Sequence, residues 1–150
     1  MNLSIILRRV AIFFLIFSAG IHILVYSTYF VAGSLILDDL AYSELTWAQL
    51  GNSYPHLAYL ISLYIRMMGI IVVIVEVFVL FAVYLIFWKS SKQAFITATI
   101  GSLVPLIMEL IQTFPILNFN IPYMAYIMLT VITAFALVIA GKELFVQKIN

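Results

Sequence analysis

One apolar run, from Leu57 to Trp88, constrains the fold of this chain more than any other feature. A helix of that length, at about 1.5 Å per residue, is longer than the roughly 30 Å hydrocarbon core of a bilayer. The run contains two charged residues, Arg66 and Glu76, and it ends in Trp88 and Lys89, a pair typical of the membrane boundary. It is therefore predicted to be a transmembrane helix against which the other helices pack.

The composition indicates that lipid is the solvent of this chain. Hydrophobic residues make up 66% of the sequence and charged residues 9%, against about 45–50% and about 25% in soluble domains. The net charge of +1 excludes the broad basic surface with which proteins bind nucleic acid. The absence of cysteine excludes disulfides and thiolate metal sites, and two histidines are too few for an evident metal cluster. We expect no cofactor and no metal, and the lipid bilayer as a partner.

Long apolar runs separated by turn residues predict an all-α, polytopic membrane protein. It is a single domain, a four-transmembrane-helix bundle, with spans near residues 10–37, 56–88, 93–114 and 122–141 and an outer loop over 38–55. A secretory signal peptide is the alternative for the first run. That run continues to Leu37, which is too long for a signal.

Short motifs predict where the helices begin and end. Thr46 and Gln49 have the spacing of a capping box, which predicts a short helix after Thr46. Proline suits the first position of a helix, so Pro55 predicts the start of the second span. The segment from Lys89 to Lys92 is predicted to be a tight basic turn, and Pro105 predicts a kink in the third span.

No glycine pair has the Gly-x-x-x-Gly spacing that brings transmembrane helices together. We expect the closest helix approaches at Gly69, Ala98 and Gly101. Larger side chains are expected to carry the rest of the packing.

The basic residues predict the orientation. Those outside the spans all fall on one side, and the loops on the other side contain none; they are Arg8, Arg9, Lys89, Lys92, Lys142 and Lys148. Because loops rich in lysine and arginine stay in the cytoplasm, we expect both termini to be cytoplasmic. The chain is accordingly predicted to be a multi-pass protein of the cell membrane.

Charged residues inside a membrane are costly, so each of them indicates a partner or a function. Arg66 on the second span and Glu109 on the third are expected at a similar outer depth, where they can form an ion pair. The structural interpretation is that this pair fixes the register of two helices. Ligand binding or proton handling is the functional alternative, and Arg66 could instead reach lipid headgroups. Gln112, close to Glu109 on the same span, belongs to the same polar cluster.

Glu76 is the deepest charged residue, and its neighbours in sequence are all apolar. Such a position favours the neutral carboxyl group over the carboxylate. Proton transfer and the binding of a cationic or hydrogen-bonding ligand are the functional interpretations. The structural alternative is a protonated side chain hydrogen-bonded to another helix or to a partner subunit.

His22 and Tyr26 lie four residues apart on the first span, and Ser18 extends the same polar stripe. An intramembrane histidine more often contacts a neighbouring helix than binds a metal. A b-type haem usually needs two axial ligands, and the other histidine, His56, is expected outside the membrane. Haem is therefore not predicted.

The segment from Trp47 to Lys92 contains Trp47-x-x-Leu50, Tyr54-Pro55-His56-Leu57-Ala58, Ile65-Arg66-x-x-Gly69 and Phe87-Trp88-Lys89. It resembles a broad set of small four-helix membrane proteins, some grouped near the DoxX-like proteins. The resemblance implies a four-span topology and makes Arg66 and Gly69 positions to test, but it brings no settled activity. The chain departs from the set after Lys92, where the tryptophan of the usual basic turn is missing.

Two functions are open at this point. The short loops and the lack of a catalytic constellation favour a non-enzymatic accessory or structural subunit of a membrane complex, bound to other membrane subunits or to copies of itself. The alternative is binding or transport of an apolar small ligand, such as a lipid, a quinone or a sterol-like molecule. The cavity would face outward near His22, Arg66 and Glu109, with or without proton-coupled chemistry.

Overall fold

The computed structural model describes residues 3–33, 46–113 and 121–145, and over these residues the chain is all-α. Five helices follow one another: α1, Leu3–Ala32; α2, Trp47–Ser53; α3, Pro55–Lys89; α4, Lys92–Thr113; and α5, Ile121–Phe145. The all-α class predicted from the sequence is confirmed, and the four-span topology stays a prediction.

Two helices are long and apolar enough to cross a membrane. They are the Ile5–Ala32 part of α1 and the whole of α3. At about 1.5 Å per residue, both exceed the roughly 30 Å hydrocarbon core. The apolar segments of α4 and α5 are shorter, Lys92–Met108 and Tyr126–Lys142.

The predicted capping box begins α2. The Thr46 hydroxyl oxygen accepts a hydrogen bond from the Gln49 N–H at 3.2 Å, and Gln49 Oε1 accepts one from the Thr46 N–H at 2.7 Å. Tyr54 alone separates α2 from α3. Its N–H donates to the Leu50 carbonyl at 2.8 Å, and its carbonyl accepts from the Ala58 N–H at 3.0 Å. Helix α3 begins at proline, as predicted.

The predicted turn between α3 and α4 is also present. Ser90 has a φ of +52°, in the left-handed region that favours glycine. The Ser91 N–H donates to the Leu85 carbonyl at 3.2 Å. The Ser91 hydroxyl accepts a hydrogen bond from the Ala94 N–H at 3.2 Å, which makes Ser91 the N-cap of α4.

The helix bounds differ from the predicted spans at three helix ends, two of which involve a glycine. Helix α1 starts at Leu3, before the predicted residue 10, because its helical hydrogen bonds continue through Arg8 and Arg9. It ends at Ala32, because Gly33 has a φ of +61°. Helix α5 continues past Gly141. A Cβ on Gly141 would lie 3.1 Å from Phe95 Cζ, so this glycine permits a close contact and does not end the helix.

The chain divides into two compact units. We call Met1–Ile21 with Val75–Asn150 the larger unit and His22–Ile74 the smaller unit. Fourteen buried hydrophobic residues from α1, α3, α4 and α5 form the core of the larger unit, and seven of the fourteen are alanine. Large apolar side chains face outward, among them Phe13, Phe78 and Val138, which are 61%, 62% and 68% exposed.

The closest helix approaches occur where the sequence predicted them. In the smaller unit, a Cβ on Gly69 would lie 2.7 Å from the Tyr26 carbonyl oxygen. In the larger unit, a Cβ on Gly101 would lie 2.6 Å from Val79 Cγ2, and Ala98 is fully buried. The alanine-rich core means that small side chains contribute more to the packing than the sequence analysis expected. Pro105 lies inside α4, and the kink there stays a prediction.

Candidate functional site

The end of α1 is closed by Arg66, which extends from α3 within the smaller unit. Arg66 Nη1 donates to the carbonyl oxygens of Phe30 and Val31 at 3.0 and 2.9 Å. Arg66 Nη2 donates to the carbonyl oxygen of Ala32 at 3.3 Å. The last carbonyl groups of an α-helix have no partner within the helix, and they carry its negative dipole end. The guanidinium supplies both the missing donors and the complementary charge.

Gly33 completes this cap. Its N–H donates to the Tyr29 carbonyl at 2.9 Å, so the last four carbonyl groups of α1 all accept hydrogen bonds. A Cβ on Gly33 would lie 2.5 Å from Ser62 Oγ and 2.8 Å from Arg66 Cζ. Only glycine fits both this space and the positive φ. Sequence analysis missed Gly33, although a glycine late in a long apolar run is a recognised stop signal.

The predicted ion pair between Arg66 and Glu109 stays a prediction. The side chains of Glu109 and Gln112 lie outside the described part of the structure. What the structure shows of Arg66 is a set of hydrogen bonds to α1 carbonyl groups, which sequence analysis did not consider. Backbone acceptors carry no residue-type signal, so no motif could have indicated them.

His22 and Tyr26 are part of an aromatic row along α1 in the smaller unit. The His22 ring meets the Tyr26 ring edge to face, with centroids 6.3 Å apart and an interplanar angle of 84°. Tyr26 meets Tyr29 in the same way at 5.2 Å and 88°. His22 is 2% exposed and Tyr26 is half-buried. His22 and Tyr26, two residues of the predicted polar stripe, therefore pack ring against ring on α1.

A hydrogen bond joins α1 to α5 inside the larger unit. The Thr133 hydroxyl donates to the Ser18 hydroxyl at 2.9 Å, and both side chains are buried. The bond fixes the level at which these two helices meet, because either hydroxyl would lose its partner if one helix slid by a turn. Sequence analysis placed Ser18 on a polar stripe but did not pair it with Thr133.

Two more polar residues of the larger unit are buried, and we infer from the contacts of their sequence neighbours that they lie near the level of Thr133. Glu76 stands between Val75 and Val79, the residues nearest to a Cβ built on Gly101. Ser102 follows Gly101 in the chain. Phe95 on α4 contacts Gly141 on α5, and the two helices run in opposite directions. Seven residues after Phe95 is Ser102, and seven residues before Gly141 is Ala134, so Ser102 is expected beside Ala134 and its neighbour Thr133. We call Ser18, Glu76, Ser102 and Thr133 the polar layer.

The polar layer is sealed from solvent. Its four residues are between 0% and 3% exposed, and Glu76 is 1% exposed. Hydroxyl and carboxyl groups at one level can exchange hydrogen bonds and specify one helix register.

Basic residues gather at one end of the larger unit. The Arg8 guanidinium donates to the Phe87 carbonyl and lies 5.8 Å from the centre of the Phe87 ring. Lys92 Nζ lies 4.8 Å from the centre of the Phe145 ring. These contacts bring the start of α1 beside the end of α3, and the start of α4 beside the end of α5. Three exposed cations lie at the same end: Arg9, Lys89 and Lys142.

Comparisons with protein-family models, with curated proteins and with solved structures find no match. The resemblance to DoxX-like proteins stays a prediction. Among the described residues, no group of three histidine, aspartate or glutamate side chains is placed to hold a metal ion. The geometry of the cap, the polar layer and the outward apolar faces is therefore the basis for any functional conclusion.

Proposed function

We propose that this chain is an integral membrane protein with four spans that acts as a non-enzymatic subunit of a membrane complex. The observation that carries the proposal is the distribution of side-chain size in the larger unit, where half of the core residues are alanine, and phenylalanine, isoleucine and valine lie outside. Contiguous apolar surface of this extent would drive aggregation in water. In lipid it is solvated, and it is also available to the helices of another subunit.

The larger unit supports four spans and not two. Helices α4 and α5 have shorter apolar segments than α1 and α3, but all four contribute to one core. The start of α1, the end of α3, the start of α4 and the end of α5 meet at one basic end. Four antiparallel spans with both termini in the cytoplasm produce this arrangement.

The buried polar groups support a role without catalysis. Arg66 is used to cap α1, and the polar layer is closed to solvent. Groups that hold helices in register are what a subunit needs in order to present a fixed apolar face to a partner. The proposed action is thus helix–helix association within the membrane.

Topology is tested by single cysteines, because the chain contains none of its own. Asn52→Cys and Gln93→Cys place a thiol at exposed positions near opposite ends of α3, and Asn118→Cys places one between α4 and α5. A membrane-impermeant maleimide should label Asn52→Cys and Asn118→Cys in intact cells, and Gln93→Cys only after permeabilisation. The cysteine-free parent is the control. Labelling of Gln93→Cys in intact cells, or protection of Asn118→Cys, contradicts four spans with cytoplasmic termini. Labelling of Asn52→Cys and Asn118→Cys from opposite sides contradicts the number of spans.

The subunit role is tested by the native mass of the untagged protein in a mild detergent, with the co-purifying proteins identified. An assembly of defined composition is the expected result. A single chain that carries a tightly bound small molecule contradicts it and favours the alternative, binding of an apolar ligand.

A further inference from the structure

We propose that the exposed aromatic face at the end of α3 binds a phospholipid with an anionic headgroup. The face consists of Phe81, Tyr84 and Trp88, which we call the aromatic ladder, and the headgroup would lie at Lys89. The inference rests on the proposed membrane function, and it adds a ligand class that the proposed function does not name.

The aromatic ladder is a continuous flat surface. The Phe81 and Tyr84 rings are stacked with centroids 6.4 Å apart and an interplanar angle of 25°, and Tyr84 stacks on Trp88 at 5.4 Å and 20°. The three residues follow a helical spacing of three and four, so they share one face of α3. All three are exposed, Trp88 by 59%. The stacked rings form one apolar surface, and an acyl chain can lie along it.

The charge at the end of the ladder selects an anion. Lys89 follows Trp88 directly and is exposed. Two of its cationic neighbours have partners in the protein: Arg8 binds the end of α3, and Lys92 lies over an aromatic ring. The sequence has a single acidic residue in this region, Glu143, against five lysines and arginines from residue 8 to residue 142 at the same end. A phosphate group complements that balance.

Tyr84 provides a polar group at the right depth. It precedes Lys89 by five residues, which is about 7.5 Å along the helix axis. The ester carbonyl groups of a phospholipid lie below its phosphate, on the hydrocarbon side. A lipid whose phosphate is at Lys89 therefore presents ester oxygens to the Tyr84 hydroxyl and acyl chains to Phe81.

The other half of α3 offers a natural contrast. Tyr59 and Tyr64 are also exposed, by 68% and 64%, but the cation that follows them, Arg66, is bound to the carbonyl groups at the end of α1. If aromatic surface alone bound lipid, both halves of the helix would do so equally. The proposal assigns anion selectivity only to the end that carries Lys89.

Trp88 is itself the reporter for the test. The chain has two tryptophans, so Trp47→Phe leaves Trp88 as the single fluorophore. The protein is reconstituted into phosphatidylcholine vesicles containing phosphatidylglycerol, with bromine on the acyl chains of one lipid or of the other at equal mole fraction. Brominated phosphatidylglycerol should quench Trp88 more strongly than brominated phosphatidylcholine does. The expected difference corresponds to an enrichment of phosphatidylglycerol beside Trp88 of about five-fold, which is the effect of one lysine near an anionic surface.

Matched variants locate the site. Lys89→Gln should remove the preference, whereas Lys142→Gln, which removes one exposed charge from α5 at the same end, should retain it. Tyr84→Phe should reduce the preference, and Tyr64→Phe should not. These changes leave the core intact, because all four side chains are exposed.

Each remaining outcome counts against the proposal. Equal quenching by both brominated lipids overturns the anionic site, and so does a preference that persists in Lys89→Gln. If the protein floats with the vesicles but both brominated lipids quench Trp88 only weakly, a protein chain such as a second copy covers the aromatic ladder. A protein that does not insert into either vesicle contradicts the proposed membrane function, which separates that failure from failure of the lipid site.

Discussion

The guanidinium of Arg66 occupies the space in which residue 33 would carry its side chain. Arg66 Cζ lies 2.8 Å from the position of a Cβ on Gly33, and the same guanidinium binds three carbonyl groups at the end of α1. The two residues thus form one helix cap, in which Gly33 ends α1 and leaves room for the guanidinium that caps it. Neither residue can be replaced without affecting the other.

Gly33→Ala should therefore be strongly destabilising. The added Cβ enters the guanidinium space, and alanine resists the positive φ by about 1–2 kcal/mol even without that clash. We expect the free energy of unfolding in mixed micelles to fall by at least that amount. Gly20→Ala is the matched control on α1, since a Cβ there meets nothing within 4 Å. Its free energy of unfolding should stay constant or rise by up to about 1 kcal/mol. Equal losses at both positions would contradict the cap.

Arg66→Lys should also lose stability, although the charge is kept. A lysine ammonium cannot span three successive carbonyl groups as the planar guanidinium does. A loss of about 1–3 kcal/mol in the free energy of unfolding is expected from the charged hydrogen bonds.

Reversing the charges of both Arg66 and Glu109 tests the predicted ion pair separately. The α1 carbonyl groups reject a carboxylate at position 66 in any case, so recovery in the double reversal relative to Arg66→Glu measures the pair alone.

Ser18→Ala and Thr133→Val should be non-additive. Either single change leaves a buried hydroxyl without its partner, whereas the double change removes both groups. We expect a coupling energy of about 0.6–1.5 kcal/mol in a double-mutant cycle, in the range found for hydrogen bonds between membrane helices. Thr130→Val is the control, because that hydroxyl bonds to the Tyr126 carbonyl of its own helix at 2.7 Å. Simple additivity would mean that the Ser18–Thr133 bond does not fix the helices.

Glu76→Gln should be tolerated, whereas Glu76→Ala should not. Glutamine has the shape of a protonated glutamate and retains both a donor and an acceptor. Alanine leaves a cavity in a site that is 1% exposed, at a cost of roughly 2–5 kcal/mol. Unfolding in micelles and the yield of folded protein provide the comparison. A glutamine variant as unstable as the alanine variant would contradict the hydrogen-bonding role of this side chain.

Two serines in the turn after α3 should respond in opposite directions. Ser90→Gly relieves the positive φ and should raise the free energy of unfolding by about 1 kcal/mol. Ser91→Ala removes the acceptor for the Ala94 N–H and should lower it by about 1 kcal/mol. Because the residues are adjacent, each variant controls for general disturbance of the turn. Losses in both would show that Ser90 has a role beyond backbone conformation.

Local signals in the sequence located several features of the fold. The capping box at Thr46, the proline that opens α3 and the turn after Lys89 each depend on a few neighbouring residues, and all three are present in the structure. Gly69 and Gly101 were recognised as close approaches because a glycine in an apolar helix has few other uses. Such features need no knowledge of the partner helix.

The helix ends were harder, and two glycines show why. Gly141 was taken as the end of a helix that continues to Phe145, and Gly33 was passed over although it ends α1. Hydropathy follows the boundary of the lipid, whereas the end of a helix follows backbone hydrogen bonds. Which of the two a glycine serves depends on what lies beside it, Phe95 in one case and Arg66 in the other.

The site residues themselves could be recognised in the sequence, whereas their contacts could not. Polar and charged residues in apolar runs drew attention to Arg66, Glu76 and His22, and the structure places Glu76 and His22 in buried positions. The contacts of Arg66 could not be predicted, since its acceptors are backbone atoms. The Ser18–Thr133 bond was equally invisible, because serine and threonine in a span are common and only the register of two distant helices brings them together.

The single residue between α2 and α3 has a mechanical consequence. The Tyr54 N–H closes the last turn of α2 and its carbonyl opens the first turn of α3, so the hydrogen bonds pass from one helix to the other without slack. Leu50 is buried and holds α2 in place. The two helices are therefore coupled, so a displacement of the short helix α2 is passed to the start of the long helix α3. A partner that bound α2 would therefore act directly on the helix that carries both Arg66 and the aromatic ladder.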